Sequence, residues 1–164
     1  MEIRKAKIGD LSLIQALAQQ IWPTTYKTIL SIDQIQFMLA EMYDLATLRK
    51  QMIEEGHTFL ILESADTVLG FAAYSPLDKN NTRFKLHKIY LLPETHGKGL
   101  GKLLLNTVIA QVKQLGGQSL CLNVNRLNPA LQFYKKMQFE IIEEVDIQIG
   151  SGYQMNDYVM WKQI

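Results

Sequence analysis

The most informative stretch of the sequence is KLHKIYLLPETHGKGLGK, residues 85–102. Its first half predicts a strand, a Pro-Glu-Thr turn follows, and three glycines precede a helical pattern of apolar residues. Glycines at a helix start let the main chain approach a ligand, and the unpaired N–H groups there lie at the positive end of the helix dipole. The order strand, glycine loop, helix therefore predicts a site for an anionic diphosphate.

The glycines of this loop have a second interpretation. A tight turn before the helix accounts for them equally well when the loop is taken alone. Two other phosphate-binding loops fit less well, because the Gly-Lys-Ser/Thr ending of a nucleoside-triphosphate P-loop is missing and the strand is not in the N-terminal βαβ setting of a dinucleotide fold. Lys98 and Lys102 add charge at the rim of the loop or are ordinary solvated lysines.

The N-terminal third is predicted to be mostly helical after a short strand at residues 2–8. Asp10 and Ser31 are placed to cap two amphipathic helices, and the first of these is expected to end near Pro23. A third helical pattern covers residues 46–55.

Beyond residue 56 the pattern alternates strands and helices. The predicted strands cover residues 57–63, 68–75, 83–92, 118–124, 139–148 and 153–162. A turn is expected at Ser64–Thr67, and helices are expected over residues 100–115 and 129–137. These elements predict one domain over residues 1–164, of the α/β (α+β) class, with a mixed, mainly antiparallel central sheet flanked by helices.

Composition argues against several classes of partner. The 17 Lys and Arg nearly balance the 16 Asp and Glu, so the broad positive field that nucleic acid attracts is missing. No apolar stretch approaches the roughly 18 residues of a membrane span, and we expect a cytoplasmic protein that binds no membrane. The single cysteine, Cys121, cannot form an intramolecular disulfide, and no spacing of His, Asp and Glu predicts a catalytic metal.

Residues 85–102 resemble motif A of the GNAT N-acetyltransferases, which is a strand, a Pro-Glu turn and Gln/Arg-x-x-Gly-x-Gly/Ala at a helix start. His96, Gly99 and Gly101 occupy the motif positions, with His96 in place of the usual Gln or Arg. The resemblance implies an acetyl-CoA site in which Leu91 pairs through its backbone with the pantetheine arm and the acetyl carbonyl. By the same resemblance, the pyrophosphate is surrounded by Gly97, Lys98, Gly99, Leu100, Gly101 and Lys102.

A second stretch, LNVNRLNPALQFYKKMQF at residues 122–139, resembles GNAT motif B. Its Asn-to-Ala spacing is one residue tighter than usual, and Gln138 replaces the usual glycine. The resemblance implies that Asn128 contacts the cofactor, although an Asn before a proline is also a favourable helix cap. It implies that Tyr134 protonates the departing coenzyme A thiolate; the alternative is an amphipathic helix residue with its hydroxyl at a boundary.

The acceptor side is predicted from fewer signals. His87 is our candidate for deprotonating the acceptor, because strand alternation places it on the same face as Ile89 and Leu91. A partly exposed histidine that fills the cleft is the alternative. Trp22 and Tyr26 are candidates for clasping an alkyl amine or a cation, or they are core residues.

The resemblance implies an acetyl-CoA-dependent N-acetyltransferase in which a primary amine attacks directly in a ternary complex. The layout also resembles PaiA-type polyamine acetyltransferases, including the closing strand Asp157-Tyr158-Val159-Met160, which favours a small amine or polyamine as acceptor. The alternatives are acetylation of a peptide or protein N-terminus and a noncatalytic acyl-CoA-binding regulatory module. Family resemblance also implies a possible homodimer through exposed strands.

Overall fold

The structure is a computed structural model, and it describes residues 1–65 and 67–164. The strands of this part of the chain are β1 (Glu2–Lys5), β2 (Thr58–Ser64), β3 (Thr67–Pro76), β4 (Arg83–Leu91), β5 (Ser119–Asn125), β6 (Glu140–Gly150) and β7 (Tyr153–Gln163). Its α-helices are α1 (Leu11–Tyr26), α2 (Ile32–Met42), α3 (Leu45–Ile53), α4 (Leu100–Gln114) and α5 (Ala130–Lys136). Asp66, within the predicted turn Ser64–Thr67, lies outside the described residues.

All seven strands form one sheet in the order β1-β2-β3-β4-β5-β7-β6. Strands β4 and β5 are parallel, and the other neighbouring pairs are antiparallel. The prediction of a mixed, mainly antiparallel sheet flanked by helices is confirmed. Strands from both ends of the described chain lie in this one sheet. That residues 1–164 form one domain stays a prediction.

Two apolar cores lie on opposite faces of the sheet. On one face, α1, α2 and α3 pack against β2 to β4 through residues such as Ile14, Met38 and Phe71. On the other face, α4 and α5 pack through residues such as Leu104 and Met160. Burying a large apolar side chain contributes about 1.5–3 kcal/mol, so these two cores hold both helical layers against the sheet.

Three details of the N-terminal prediction are wrong. The first strand ends at Lys5, because a 3-10 turn begins at residue 8. Asp10 does not cap α1 with its carboxylate, which instead accepts hydrogen bonds from the Lys7 N–H at 2.7 Å and from the Arg4 guanidinium at 2.9 Å. Helix α1 also continues past Pro23 to Tyr26. The additional turn carries Tyr26 towards the centre of the molecule.

Other local predictions are confirmed. Ser31 caps α2, since its hydroxyl accepts a hydrogen bond from the Gln34 N–H at 3.1 Å. Helix α4 ends at Gln114, and Gly116 follows with a φ of +88°. A third helix forms close to the expected residues 46–55.

A bulge in β4 opens the sheet. Ala73 pairs with Lys88 and Tyr74 pairs with Leu86, which leaves His87 as an extra residue in β4. The parallel pairing of β4 with β5 runs from Arg83–Ser119 to Leu86–Leu122, while β4 continues to Leu91. A bulge bends its strand and interrupts the ladder, so the two strands are unpaired beyond Leu86 in the described chain and a cleft lies between them.

Candidate active site

The cleft between β4 and β5 has a volume of about 1140 Å³. Its walls come from the second half of β4, the glycine loop with the start of α4, the end of β5, and parts of α1, α5 and β7. Ligand sites commonly enclose about 300–1,000 Å³. The space is therefore large enough for an extended ligand together with a small second molecule.

The glycine loop at residues 96–99 forms one end of the cleft. Gly97 and Gly99 adopt φ values of +77° and +76°, which glycine tolerates without steric cost. A Cβ atom at either position would meet no described atom within 4 Å, so backbone conformation rather than crowding selects glycine here.

The start of α4 supplies unpaired N–H groups to this end of the cleft. The N–H groups of a helix's first turn have no intrahelical partner, and the bond from Leu103 N to Gly99 O begins the ladder of α4. Gly97, Gly99, Leu100, Gly101 and Lys102 all line the cleft. This arrangement fits the diphosphate that the sequence predicts.

The side chains of the loop differ in whether they line the cleft. His96 and Lys102 are exposed and line the cleft. Lys98 is also exposed, but it is not among the residues that line the cleft. The structure therefore groups all the predicted loop residues at the cleft except Lys98.

The end of β4 presents backbone groups to the cleft. The Leu92 N–H donates to Leu69 O of the neighbouring segment at 2.9 Å. Because successive N–H groups along a strand point to opposite edges, the Leu91 N–H points away from β3 and towards the cleft. Gly70 lies opposite Leu91, and a Cβ there would collide with Tyr90 O and the Leu91 side chain. The glycine at position 70 thus lets β3 approach Leu91 closely.

Tyr134 lies on α5 and lines the cleft. Its side chain is buried, with ring centroids 5.3 Å from Phe133 and 6.0 Å from Phe139. Burial raises the pKa of Tyr134, and the nearby Tyr26 adds to this effect. The hydroxyl is therefore protonated at neutral pH and is able to donate a proton.

Asn128 begins the segment that carries Tyr134. Its Oδ1 accepts a hydrogen bond from the Ala130 N–H at 2.9 Å, the kind of bond that the capping interpretation predicts. The helix begins at Ala130, one residue later than the predicted 129, and Pro129 directly precedes it. Asn128 also lines the cleft.

Trp22 and Tyr26 are core residues that also line the cleft. Their ring centroids are 4.6 Å apart, and the Tyr26 hydroxyl lies 3.0 Å from the Tyr90 hydroxyl. Burial raises the pKa of Tyr26 and of Tyr90. The two interpretations of these aromatic residues are thus compatible: they pack in the core and form the cleft wall.

His87 does not lie on the face that strand alternation predicts. The bulge turns it away from Ile89 and Leu91, which pack towards α4. Its ring stacks on His57 with centroids 4.0 Å apart, and its Nε2 lies 2.7 Å from the Ser75 hydroxyl. Burial lowers the pKa of His87 to about 3, helped by His57 and two lysines. It lines the cleft as a neutral ring.

The sequence did not predict as site residues two charged residues that line the cleft, Lys88 and Asp157. Lys88 is buried, donates to Gln51 Oε1 at 2.9 Å, and lies 5.5 Å from the centroid of the Tyr43 ring. Burial lowers the pKa of Lys88 to about 8. Asp157 is 2% exposed, and burial raises the pKa of its carboxyl. A charged residue within a predicted strand is the sequence signal that was available for both.

Metal-binding clusters and membrane spans are both missing from the described residues. No group of three or more His, Cys, Asp or Glu side chains within residues 1–65 and 67–164 is arranged to hold a metal ion. No helix in that part of the chain is long and apolar enough to cross a membrane.

Comparison with known proteins identifies the family. Residues 15–139 match the acetyltransferase (GNAT) family. The spermidine N(1)-acetyltransferase of Thermoplasma acidophilum is 29% identical over 168 residues, which cover 99% of this chain and 97% of that protein. The [ribosomal protein bS18]-alanine N-acetyltransferase of Haemophilus influenzae is 30% identical over 133 residues, 81% of this chain and 85% of that protein.

A solved structure shares the fold and carries the expected ligand. The crystal structure of the PaiA N-acetyltransferase from Thermoplasma acidophilum in complex with coenzyme A matches with a TM-score of 0.83 and 28% identity, covering 99% of this chain and 98% of that one. The cradle of N–H groups at the start of α4 and the free backbone edge of β4 fit the same kind of ligand here. The chain belongs to the GNAT family of acetyltransferases and uses acetyl-CoA as its acetyl donor.

Proposed function

We propose that this chain acetylates a primary amine of a small alkyl amine or polyamine, by direct attack of the amine in a ternary complex. The observation that carries the proposal is one cleft lined by the glycine loop and the start of α4, by Tyr134, and by the aromatic residues Trp22 and Tyr26 together with Asp157. The likeness to a spermidine acetyltransferase over 99% of the chain supports the choice of acceptor.

The donor end is assigned to backbone groups. Gly97, Gly99, Gly101 and Lys102 would hold the diphosphate of acetyl-CoA, and the Leu91 N–H would meet its acetyl carbonyl. Acetyl-CoA supplies a thioester, whose C–S bond breaks as the C–N bond to the amine forms. Because no covalent enzyme intermediate is required, the chain's contribution is positioning and electrostatic stabilisation.

Tyr134 is assigned the role of general acid. Its raised pKa keeps the proton on the hydroxyl until the leaving sulfur needs it. Asn128 accepts a hydrogen bond from the Ala130 N–H at the start of the helix that carries Tyr134, and it also lines the cleft. A protonated hydroxyl in the cleft wall argues against the noncatalytic regulatory module.

The acceptor end is assigned to aromatic rings and a carboxylate. Trp22, Tyr26 and Tyr90 form a wall on which an alkyl chain packs and over which a cation is attracted. A peptide α-amine is the second candidate, because the relative from Haemophilus influenzae acts on an alanine of a ribosomal protein. The cytoplasmic location and the homodimer stay predictions.

The test incubates the chain with acetyl-CoA and, in separate reactions, spermidine, spermine, free amino acids and a short peptide that begins with alanine. Free thiol is measured together with the acetylated product by mass spectrometry. We expect acetylated polyamine in a one-to-one ratio with released thiol. Acetylation of the peptide alone would establish the second candidate, and acetyl-CoA binding without any acetylated product would contradict the proposal.

A further inference from the structure

Asp157 lies on β7, in the part of the sheet that forms the acceptor end of the cleft. It pairs with Asn125 of β5 at the point where β5 faces the diverging β4. Its side chain lines the cleft although it is almost completely buried. Oδ1 has no hydrogen-bond partner in the described part of the chain. A buried carboxylate oxygen without a partner is costly to folding, so it is retained for a reason other than stability.

The cations near Asp157 favour its charged form but make no ion pair with it in the described part of the chain. Arg126 follows β5, but its guanidinium is held by Asp146 at 2.7 Å and Glu144 at 3.1 Å, both on β6. Lys85 on β4 is near enough to oppose the rise of the pKa of Asp157 but makes no described ion pair with it. Asn123 on β5 is the polar neighbour that favours the charged form most. The carboxylate therefore remains available to a cation that enters the cleft.

Asp157 is also close to the groups assigned to the reaction. Its charge raises the pKa of Tyr26, and Tyr26 in turn raises the pKa of Tyr134. These mutual effects place the carboxylate, the aromatic wall and the general acid within electrostatic reach of one another.

His87, the proton acceptor that the sequence predicts, is less suitable for binding a cation. His87 is bonded to Ser75 and lies near Lys85 and Lys88, whose positive charges lower its pKa. An ammonium group that approached His87 would meet the same repulsion. The negative charge of Asp157 attracts that group instead.

On the basis of the proposed function, we infer that Asp157 binds the protonated primary amine of the acceptor and accepts one proton from it. In this step an N–H bond of the ammonium breaks, an O–H bond forms on the carboxylate, and the electron pair stays on nitrogen. The neutral amine then has the lone pair that attack requires, and the proton passes from Asp157 to solvent. The ligand class is an alkyl ammonium whose carbon chain lies along the aromatic wall.

The test compares the wild-type chain with Asp157→Asn and, as a matched control, Asp33→Asn, which removes an exposed carboxylate outside the cleft. We expect Asp157→Asn to lower kcat/KM for spermidine by about 100-fold or more, as loss of a proton acceptor does. Spermidine is expected to raise the melting temperature of the wild type and of Asp33→Asn but not of Asp157→Asn. Acetyl-CoA affinity, measured by calorimetry, should be the same in all three.

Stability gives a readout that does not depend on turnover. The pKa of Asp157 is higher in the folded protein than in the unfolded chain, so ionising this carboxyl lowers the free energy of unfolding. This loss of stability is absent at a pH below the pKa in the unfolded chain, and it is complete at a pH above the pKa in the folded protein. Asp157→Asn should therefore raise the melting temperature at pH 7. A lower melting temperature, a parallel loss of acetyl-CoA affinity, or an unchanged kcat/KM for spermidine would overturn the inference. If the wild type acetylates no amine, the proposed function fails, and the spermidine shift still decides whether Asp157 binds the cation.

Discussion

The two ends of the cleft are built in different ways. The proposed donor end comes mainly from one continuous segment, Leu91–Lys102, and presents backbone N–H groups. The proposed acceptor end is assembled from side chains of α1, β4 and β7, with Tyr26, Lys88 and Asp157 far apart in sequence. A backbone cradle tolerates changes of side chain, such as His96 in the place of Gln or Arg. A pocket made of side chains changes its ligand with each substitution.

The two ends also differ in charge. The donor end uses the positive end of the α4 dipole and suits an anion. In the proposed acceptor end, the buried carboxylate of Asp157 near Tyr26 attracts a cation. Tyr134 lines the same cleft. Variants of one end should therefore leave the ligand of the other end unaffected.

The largest effect is expected from Tyr134→Phe, which removes the proposed proton donor. Loss of a general acid lowers kcat by about 100-fold, while acetyl-CoA affinity from calorimetry should stay unchanged. Tyr74→Phe is the matched control, because it removes a buried hydroxyl bonded to Gln111 at 2.7 Å outside the cleft. If both variants lowered kcat equally, the loss would reflect packing, and Tyr134 would have no place in the chemistry.

The next largest effect is expected from a glycine substitution in the loop, and it tests whether backbone groups bind acetyl-CoA. Gly99→Ala and Gly116→Ala alter opposite ends of α4, at φ values of +76° and +88°, where an added Cβ meets no described atom within 4 Å. Each should cost about 1–2 kcal/mol of unfolding free energy through backbone strain. Only Gly99→Ala should weaken acetyl-CoA binding, by about tenfold for each 1.4 kcal/mol lost. Equal affinities in the two variants would remove the glycine loop from the donor site.

A smaller effect concerns the histidine pair of the acceptor end. Burial lowers the pKa of His57 to about 4 and that of His87 to about 3, from 6.5. The unfolded chain therefore binds protons that the folded chain does not, and stability present above pH 6.5 is lost as pH falls towards 4. The double variant His57→Gln, His87→Gln should show a shallower fall of melting temperature across that range. An unchanged slope would mean that the pair is already protonated in the folded protein.

The smallest effect is expected from Lys98→Ala. This lysine is exposed and does not line the cleft, so its removal should change acetyl-CoA affinity by less than about 1 kcal/mol, the usual limit for an exposed charge. Lys102→Ala, which removes a lysine that does line the cleft, should have the larger effect and should depend more on salt. The reverse order would show that the loop binds its ligand with Lys98.

The sequence predicted the glycine loop and the start of α4 because both are local. Gly99, the helix after it and the strand before it lie within a few turns of chain, so their pattern carries the geometry. The mainly antiparallel sheet was predictable for the same reason, since each strand has its own pattern.

The acceptor end depends on contacts that no local pattern contains. One extra residue in β4 reversed the predicted face of His87, because a bulge shifts the alternation by one. The carboxylate of Asp10 accepts hydrogen bonds from the Arg4 guanidinium instead of from the first N–H groups of α1. The burial of Asp157 arises only when β7 lies between β5 and β6. Pairing over long sequence distances decided each of these points.

A crystal structure of the chain with coenzyme A and spermidine would test the division of the cleft into two ends most directly. We expect the diphosphate at the N–H groups of Gly99–Lys102 and a terminal ammonium nitrogen of spermidine about 3 Å from a carboxylate oxygen of Asp157, the distance of a hydrogen bond. A diphosphate away from the start of α4, or an ammonium group placed beside His87 and Lys88, would contradict this division.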